Sequence, residues 1–323
     1  MPRHVHLTPI GIDELPEAGH PLTTSLWASI KHMNGWSAHP FSIPSSGKHL
    51  LVLSKKILFF RIAYVPYADL GEVSEELMLQ ITDEVMRLSR LPFIFIRYEF
   101  AYGIRITGSW SSRRVRRCPF AIQPASSVLI HLDAEYETVR SRYTKRAKRA
   151  LRKSRQAASD TILSDKQDSH IDRWLSLYQE TAARDGFSAR SREYIEGVLR
   201  HRGVRLFLAV YDGDIVGGVI TVESDTHILY LFGATSRNLP FSPGYQLQDA
   251  VIRYACDSDL AVYDLHGIGT EGDHLSSLTL FKTSFGGEVV RRERGIDVVR
   301  HPVGYTLYRA GESIRITHAR KRR

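Results

Sequence analysis

The sequence predicts an α/β (α+β) protein of two domains, each with a mixed sheet flanked by helices. Three observations predict it. The chain has 323 residues, 43% of them hydrophobic, which is enough for two cores rather than one. Segments with helical spacing alternate with β-rich runs through both halves. There is no sustained heptad run of the kind that builds a long coiled coil.

The first half opens with a short amphipathic helix over 25–31, where Leu26, Trp27 and Ile30 form the apolar side and Gly35 follows as a stop. β-rich runs at 50–53 and 57–64 flank Ser54, Lys55 and Lys56 as a hairpin, and a helix over 75–90 leads into a strand over 91–98. Residues 109–117, with Arg113, Arg114, Arg116 and Arg117, are polar and lack periodicity, so they read as a loop before a strand at 127–132. A continuous helix follows from Glu135. Between Arg140 and Arg155 nine of sixteen residues are Lys or Arg and none is acidic. Val139, Tyr143, Ala147 and Leu151 give it an apolar edge, while Arg142, Arg146 and Arg149 repel one another along the other side. A solvated face is the plain alternative; a docked but overcharged helix suits a polyphosphate partner.

The second half predicts helices at 172–183 and 191–200, then strands at 206–211 and 215–223 joined by Asp212, Gly213 and Asp214. An Asp-Gly pair tolerates the positive φ angles of a tight hairpin. A strand at 227–232, a helix at 245–257 and a strand at 261–265 complete the order, which resembles the GNAT acyltransferase core.

The formal net charge is +9, with a pI near 9.5, which favours an anionic partner: nucleic acid, a phosphorylated ligand or the cytoplasmic surface of a membrane, where the protein would associate peripherally. No stretch reaches the roughly 18 apolar residues of a membrane span, and 1–19 lacks a signal-peptide pattern, so a cytoplasmic protein is expected. Cys118 and Cys256 are far apart and read as apolar fillers. His266 and His274 lie near a loop without HExxH or Cys/His ligand spacing, so no metal is expected.

Three stretches together resemble the FemABX family, whose members build the interpeptide bridges of bacterial cell walls. They are ETAARDGF at 180–187 with Arg190 and Tyr194 after it, YDLHGI at 263–268, and LFKTSFGG at 280–287, the last matching the family's FKxxFGG. A fainter match comes from SLWASIK at 25–31 with Gly35 and Trp36, and from AYVPY at 63–67, where Ala68 and Asp69 replace the family's Gly-Pro. The resemblance implies two GNAT-like acyltransferase domains without the coiled-coil insertion. The first is 1–125 plus 292–323, expected to bind the acceptor precursor; the second is 126–291, expected to bind the donor. It implies transfer of an amino acid from aminoacyl-tRNA to the side-chain amine of the stem peptide of a UDP-linked or lipid-linked muropeptide, with no cofactor.

Such a transfer is attack of an amine on an activated ester, so the site must hold two anionic substrates and stabilise an oxyanion. Lys282 is the residue expected to do so, with Phe281 beside it contacting the donor's terminal adenosine; a core aromatic followed by a surface lysine is the alternative for that pair. Tyr230 lines the substrate channel, with Phe232 an equal match. By resemblance Lys31 and Arg190 grip the acceptor's diphosphate, with Tyr194 on the same face as Arg190, ordinary surface residues being the alternative for each; Glu99, just after its strand, orients the acceptor amine, unless it is an exposed loop acid. Arg142, Arg146, Arg149 and Lys153 are expected tRNA contacts, joined by the 113–117 loop and the basic end at 320–323. No general base is assigned. Two rivals remain. An acyl-CoA-dependent GNAT N-acyltransferase needs a Gly-rich turn for pyrophosphate, but 237–244 reads RNLPFSPG with one glycine. A non-catalytic RNA-binding protein needs only the charge.

Overall fold

The computed structural model describes residues 5–132, 135–269 and 276–321. The chain forms two compact units: Met1–Glu17, Leu22–Ala125 and Arg291–Arg323 make the first, and Ala18–Pro21 with Ser126–Val290 the second. The 18–21 segment, placed with the first domain by sequence, packs with the second unit instead. Gly19 N–H donates to Thr226 Oγ1 at 2.7 Å, and His20 lies buried against Asp264.

In the first unit β1 (Thr8–Pro9) precedes helix α1 (Ser25–His32), whose cap is Thr24, its hydroxyl accepting from Trp27 N–H. β2 (Ser37–Ile43), β3 (Lys48–Ile57) and β4 (Phe60–Ala68) follow as a meander. The turn between β3 and β4 is therefore Leu58–Phe59; Lys55 and Lys56 lie inside β3, paired across the ladder with Ile62 and Arg61 of β4. After β5 (Glu72–Val73), α2 (Glu75–Ser89) is capped by Ser74 and ended by Arg90 at φ 55°. β6 (Phe93–Phe100) and β7 (Arg105–Ile106) come next. The expected 109–117 loop ends as a strand, β8 (Val115–Arg117), and Arg114 is ion-paired with Asp83 at 2.6 Å.

The second unit begins with β9 (Ser126–His131). The expected continuous helix is two, α3 (Tyr136–Ser141) and α4 (Lys145–Gln156). They break because Thr144 caps α4, while its own N–H donates to the carbonyl of Ser284 at 2.9 Å. Val139, Tyr143, Ala147 and Leu151 are buried as a continuous edge nonetheless. β10 (Asp160–Leu163), α5 (Asp168–Asp185) and α6 (Arg192–Leu199) lead to β11 (Val204–Tyr211) and β12 (Asp214–Glu223). Their turn has Asp212 at φ 51° and Gly213 at φ 78°, as the Asp-Gly pair predicts. β13 (His227–Thr235), α7 (Pro243–Asp257), β14 (Val262–Asp264), α8 (Ser276–Thr283) and β15 (Glu288–Arg291) complete it. The sheet order is β10-β11-β12-β13-β14-β9-β15, with β13 and β14 parallel. One face carries a core of Val139, Leu151, Phe207, Val251, Tyr263 and Phe285.

The chain then returns to the first unit as β16 (Ile296–Val299) and α9 (Pro302–Lys321). The first sheet runs β1-β2-β3-β4-β6-β16-β8, parallel only at β4–β6. α9 is tied to it by buried charge. Arg97 on β6 donates to Asp297 on β16 at 2.7 and 2.9 Å and to Glu312 on α9 at 2.9 Å. Removing Arg97 from such a cluster would cost about 3–5 kcal/mol, because two buried carboxylates would lose their partner. Arg320 and Lys321 continue the helical backbone, while Arg322, Arg323 and His274 lie outside the described residues. Cys118 is buried, its thiol donating to the Phe120 carbonyl, whereas Cys256 is half-buried. Among the described residues no helix is long and apolar enough to cross a membrane.

Candidate active site

Two motifs of the second unit converge on one ammonium. The YDLHGI segment leaves β14 through a turn in which His266 and Gly267 take φ of 51° and 38°, which directs both carbonyls to one side. α8 brings Lys282 to that turn, and its Nζ donates to the carbonyls of His266 and Gly267, the latter at 2.7 Å. Lys282 is 4% exposed, so the alternative of a surface lysine is overturned. Burial lowers its pKa to about 7, although the Asp264 carboxylate acts in the opposite sense.

Asp264 supports the turn from below. Its Oδ1 accepts from His266 N–H at 2.7 Å and from the Ser127 hydroxyl, and its Oδ2 lies 3.3 Å from His20 Nε2. Burial would raise this carboxyl, but the hydrogen bond and charge of His20, the charge of His266 and the Ser127 hydroxyl hold it well below the usual range. Beside the ammonium stands Tyr230, its ring centre 5.1 Å from Nζ. A cation seated in this way, largely out of water, is suited to stabilising a forming oxyanion.

Phe281 is half-buried rather than core. It meets Tyr245 edge-on at 4.9 Å and Phe285 at 5.5 Å. It also stands over the first turn of α7: a Cβ on Gly244 would lie 3.4 Å from its ring. Tyr230 and Phe232 do different jobs, because the register of β13 against β12 shifts between them. Tyr230 meets Lys282, while Phe232 packs edge-on to Tyr194 at 6.4 Å, with the Arg190 guanidinium 5.7 Å from the Tyr194 ring.

Three of the four expected tRNA contacts come together. Arg146, Arg149 and Lys153, with Lys145, line a pocket of about 510 Å³ whose other wall is Phe241 and Tyr245. Arg146 Nε donates to the Tyr245 hydroxyl at 2.7 Å. Arg142 does not join them. It lies in the break between α3 and α4, and its guanidinium donates to the His131 carbonyl at 3.1 Å.

In the first unit, Lys31 is half-buried with its Nζ 4.9 Å from the Trp27 ring. Glu99 lies within β6, not after it, and is 3% exposed, so it is no loop acid. It accepts from the Tyr64 hydroxyl at 2.7 Å and from the N–H groups of Ile122 and Gln123. Burial raises its pKa despite these bonds.

The sequence reading missed His20, Ser127 and the pocket wall of Phe241 and Tyr245. His20 carries no local pattern that would mark it; Asp264 lies within the YDLHGI motif, where the sequence alone shows no partner for it.

Residues 140–274 match the acetyltransferase (GNAT) domain family. Over 149 residues the chain is 28% identical to a UDP-N-acetylmuramoylpentapeptide-lysine N(6)-alanyltransferase of Weissella viridescens, covering 45% of this chain and 44% of that protein. The match thus spans less than half the length of that relative. Among solved structures, FemX superposes with a TM-score of 0.74 at 14% identity, over 94% of this chain and 99% of FemX. A conserved protein of unknown function from Bacteroides thetaiotaomicron gives 0.55 at 8% identity, over 92% and 100%. The chain therefore has the FemX fold, with residues 140–274 similar to the GNAT domain family, and the resemblance to FemABX proteins carried by its motifs is borne out.

Proposed function

We propose that the protein is a tRNA-dependent aminoacyltransferase that moves an amino acid from aminoacyl-tRNA to the side-chain amine of a muropeptide stem, UDP-linked or lipid-linked, in the cytoplasm. The observation that carries this reading is the buried Lys282 ammonium on its two-carbonyl seat, in a chain partly aligned with a muropeptide-lysine alanyltransferase. In this reading Lys282 steadies the oxyanion of the ester carbonyl and Tyr230 and Phe281 receive the donor end. Arg146, Arg149 and Lys153 take phosphates of the acceptor arm, and Lys31, Arg190, Tyr194 and Glu99 serve the acceptor. The amine attacks the ester carbon, and the ribose hydroxyl of the tRNA leaves with the proton that the amine gives up.

The GNAT match keeps an acyl-CoA reaction as the second reading. Against it, α7 starts with Pro243, which has no N–H to offer a pyrophosphate, and Phe281 packs over Gly244 at the same turn. The test is incubation with a pool of radiolabelled aminoacyl-tRNAs and either muropeptide. Label moving to a muropeptide, and lost in Lys282→Ala, supports the proposal; no transfer, with binding of acyl-CoA instead, overturns it. Binding of tRNA without transfer would leave an RNA-binding protein.

A further inference from the structure

The five most exposed large apolar side chains among the described residues all belong to two neighbouring places in the first unit. Leu58 and Phe59, 79% and 93% exposed, form the β3–β4 turn; Val303, Leu307 and Ile314, 67%, 59% and 60% exposed, lie on α9. On a helix these three fall within one narrow stripe. Tyr305, Tyr308 and Glu312 occupy the opposite, docked side of α9. The two places adjoin: Phe59, Phe60, Arg61, Arg300 and His301 line one hollow, and a Cβ on Gly304 would lie 3.2 Å from the Phe60 ring.

None of these side chains is buried in the core of the unit. A two-residue turn favours Asn or Gly where φ is positive, yet Leu58 stands there at φ 53° with its side chain in water. Lys55, Lys56 and Arg61 lie in the strands beside the turn, with no acid between residues 48 and 68; farther out, Lys48 pairs with Asp69 at 2.8 Å and Arg309 lies 3.6 Å from the buried Glu312. Asp83, which meets Arg300 at 2.5 Å, is shared with Arg114.

We infer that the Leu58–Phe59 turn and the outward stripe of α9 form a seat for an anionic lipid bilayer surface, with the turn entering the interface and the flanking cations meeting lipid headgroups. Apolar side chains inserted to a shallow depth and ringed by Lys and Arg are what such a surface selects. A protein partner of equal size would not by itself account for Lys55, Lys56 and Arg61 beside the most exposed apolar turn.

The test needs neither tRNA nor muropeptide, so its outcome is independent of the proposed reaction. The full chain is sedimented with vesicles of phosphatidylcholine, with and without phosphatidylglycerol, alongside Leu58→Ser/Phe59→Ser and Lys56→Glu/Arg61→Glu. Binding to the phosphatidylglycerol vesicles is expected, weakening as salt rises. The serine pair should lower it by about tenfold or more with an unchanged melting temperature, and the glutamate pair should remove its dependence on the anionic lipid. Absence of binding, or binding indifferent to the turn, overturns the inference. So does a dimer in sedimentation velocity that the serine pair abolishes, which would assign the surface to a second copy of the chain.

Discussion

Asp264 accepts the backbone N–H of His266 at 2.7 Å, and this bond fixes the turn whose carbonyls receive the Lys282 ammonium. Without it two consecutive residues at positive φ would have little to hold them there. The carboxylate is itself held from two sides, by Ser127 on β9 and by His20 on the short segment that joins the second unit from the chain's beginning. Orientation of the ammonium therefore depends on residues from three separate stretches of sequence.

Asp264→Asn and Asp264→Ala separate geometry from charge. Asparagine retains an oxygen that accepts from His266 N–H and Ser127, so the Asn variant should stay within about 1 kcal/mol of the wild-type stability. Alanine leaves those donors buried without an acceptor and should cost about 1–3 kcal/mol, with a drop in transfer rate on the order of 10² as the seat loosens. Denaturant melts and initial rates measured together check this. Equal rates in the two variants would mean that the turn holds its shape unaided.

The Lys282 pKa of about 7 makes a pH prediction with a definite sign. The ammonium fraction falls tenfold per unit above that value, while the free fraction of an amine acceptor, with a pKa of ~10.4, rises tenfold per unit. Their product climbs up to about pH 7 and is then flat. In Lys282→Arg the guanidinium stays charged, so the rate, though lower, should keep climbing through pH 8.5. Rates measured from pH 6 to 8.5 decide it: parallel climbs in both proteins would show that the lysine does not act as a titrating ammonium.

Gly286 and Gly287 explain why the FK motif ends in a glycine pair. Gly286 sits at φ 75°, and a Cβ there would lie 2.5 Å from the Arg142 carbonyl; at Gly287 it would lie 2.6 Å from the Leu129 carbonyl. Both obstacles are backbone, which cannot rotate away. Gly286→Ala should therefore destabilise by about 2–4 kcal/mol and shift the break between α3 and α4, seen as a lower melting temperature. A loss of rate with unaltered melting would point instead to contact with substrate.

How far the sequence reveals this arrangement follows from the range of the interactions. The Asp212-Gly213 turn and the buried edge of α3 and α4 are local or periodic, and local patterns report them. The break at Thr144 is different, because it answers to the Ser284 carbonyl 140 residues away. Lys282 stood out through its motif, yet its burial depends on the His266 turn, and His20 reaches Asp264 across 244 positions. Glu99 looked like a strand-end acid because nothing nearby shows that Tyr64 and the amides of Ile122 and Gln123 converge on it.

The basic pocket predicts how salt should act on tRNA binding. Arg149 and Lys153 line the same hollow as Arg146, whereas the Arg142 guanidinium is bonded to the His131 carbonyl beyond its lining. Each lost phosphate contact to a single-stranded end lowers the slope of log K against log salt by about 0.7. Arg149→Ala and Lys153→Ala should each flatten the slope by about that amount, and together by about twice it. Arg142→Ala should leave the slope unchanged, since its charge is placed against the protein's own backbone. Fluorescence anisotropy of a labelled acceptor-arm RNA over a salt series measures all four. A slope that Arg142→Ala flattens as much as Arg149→Ala would move the RNA off the α4 pocket and onto the α3–α4 break.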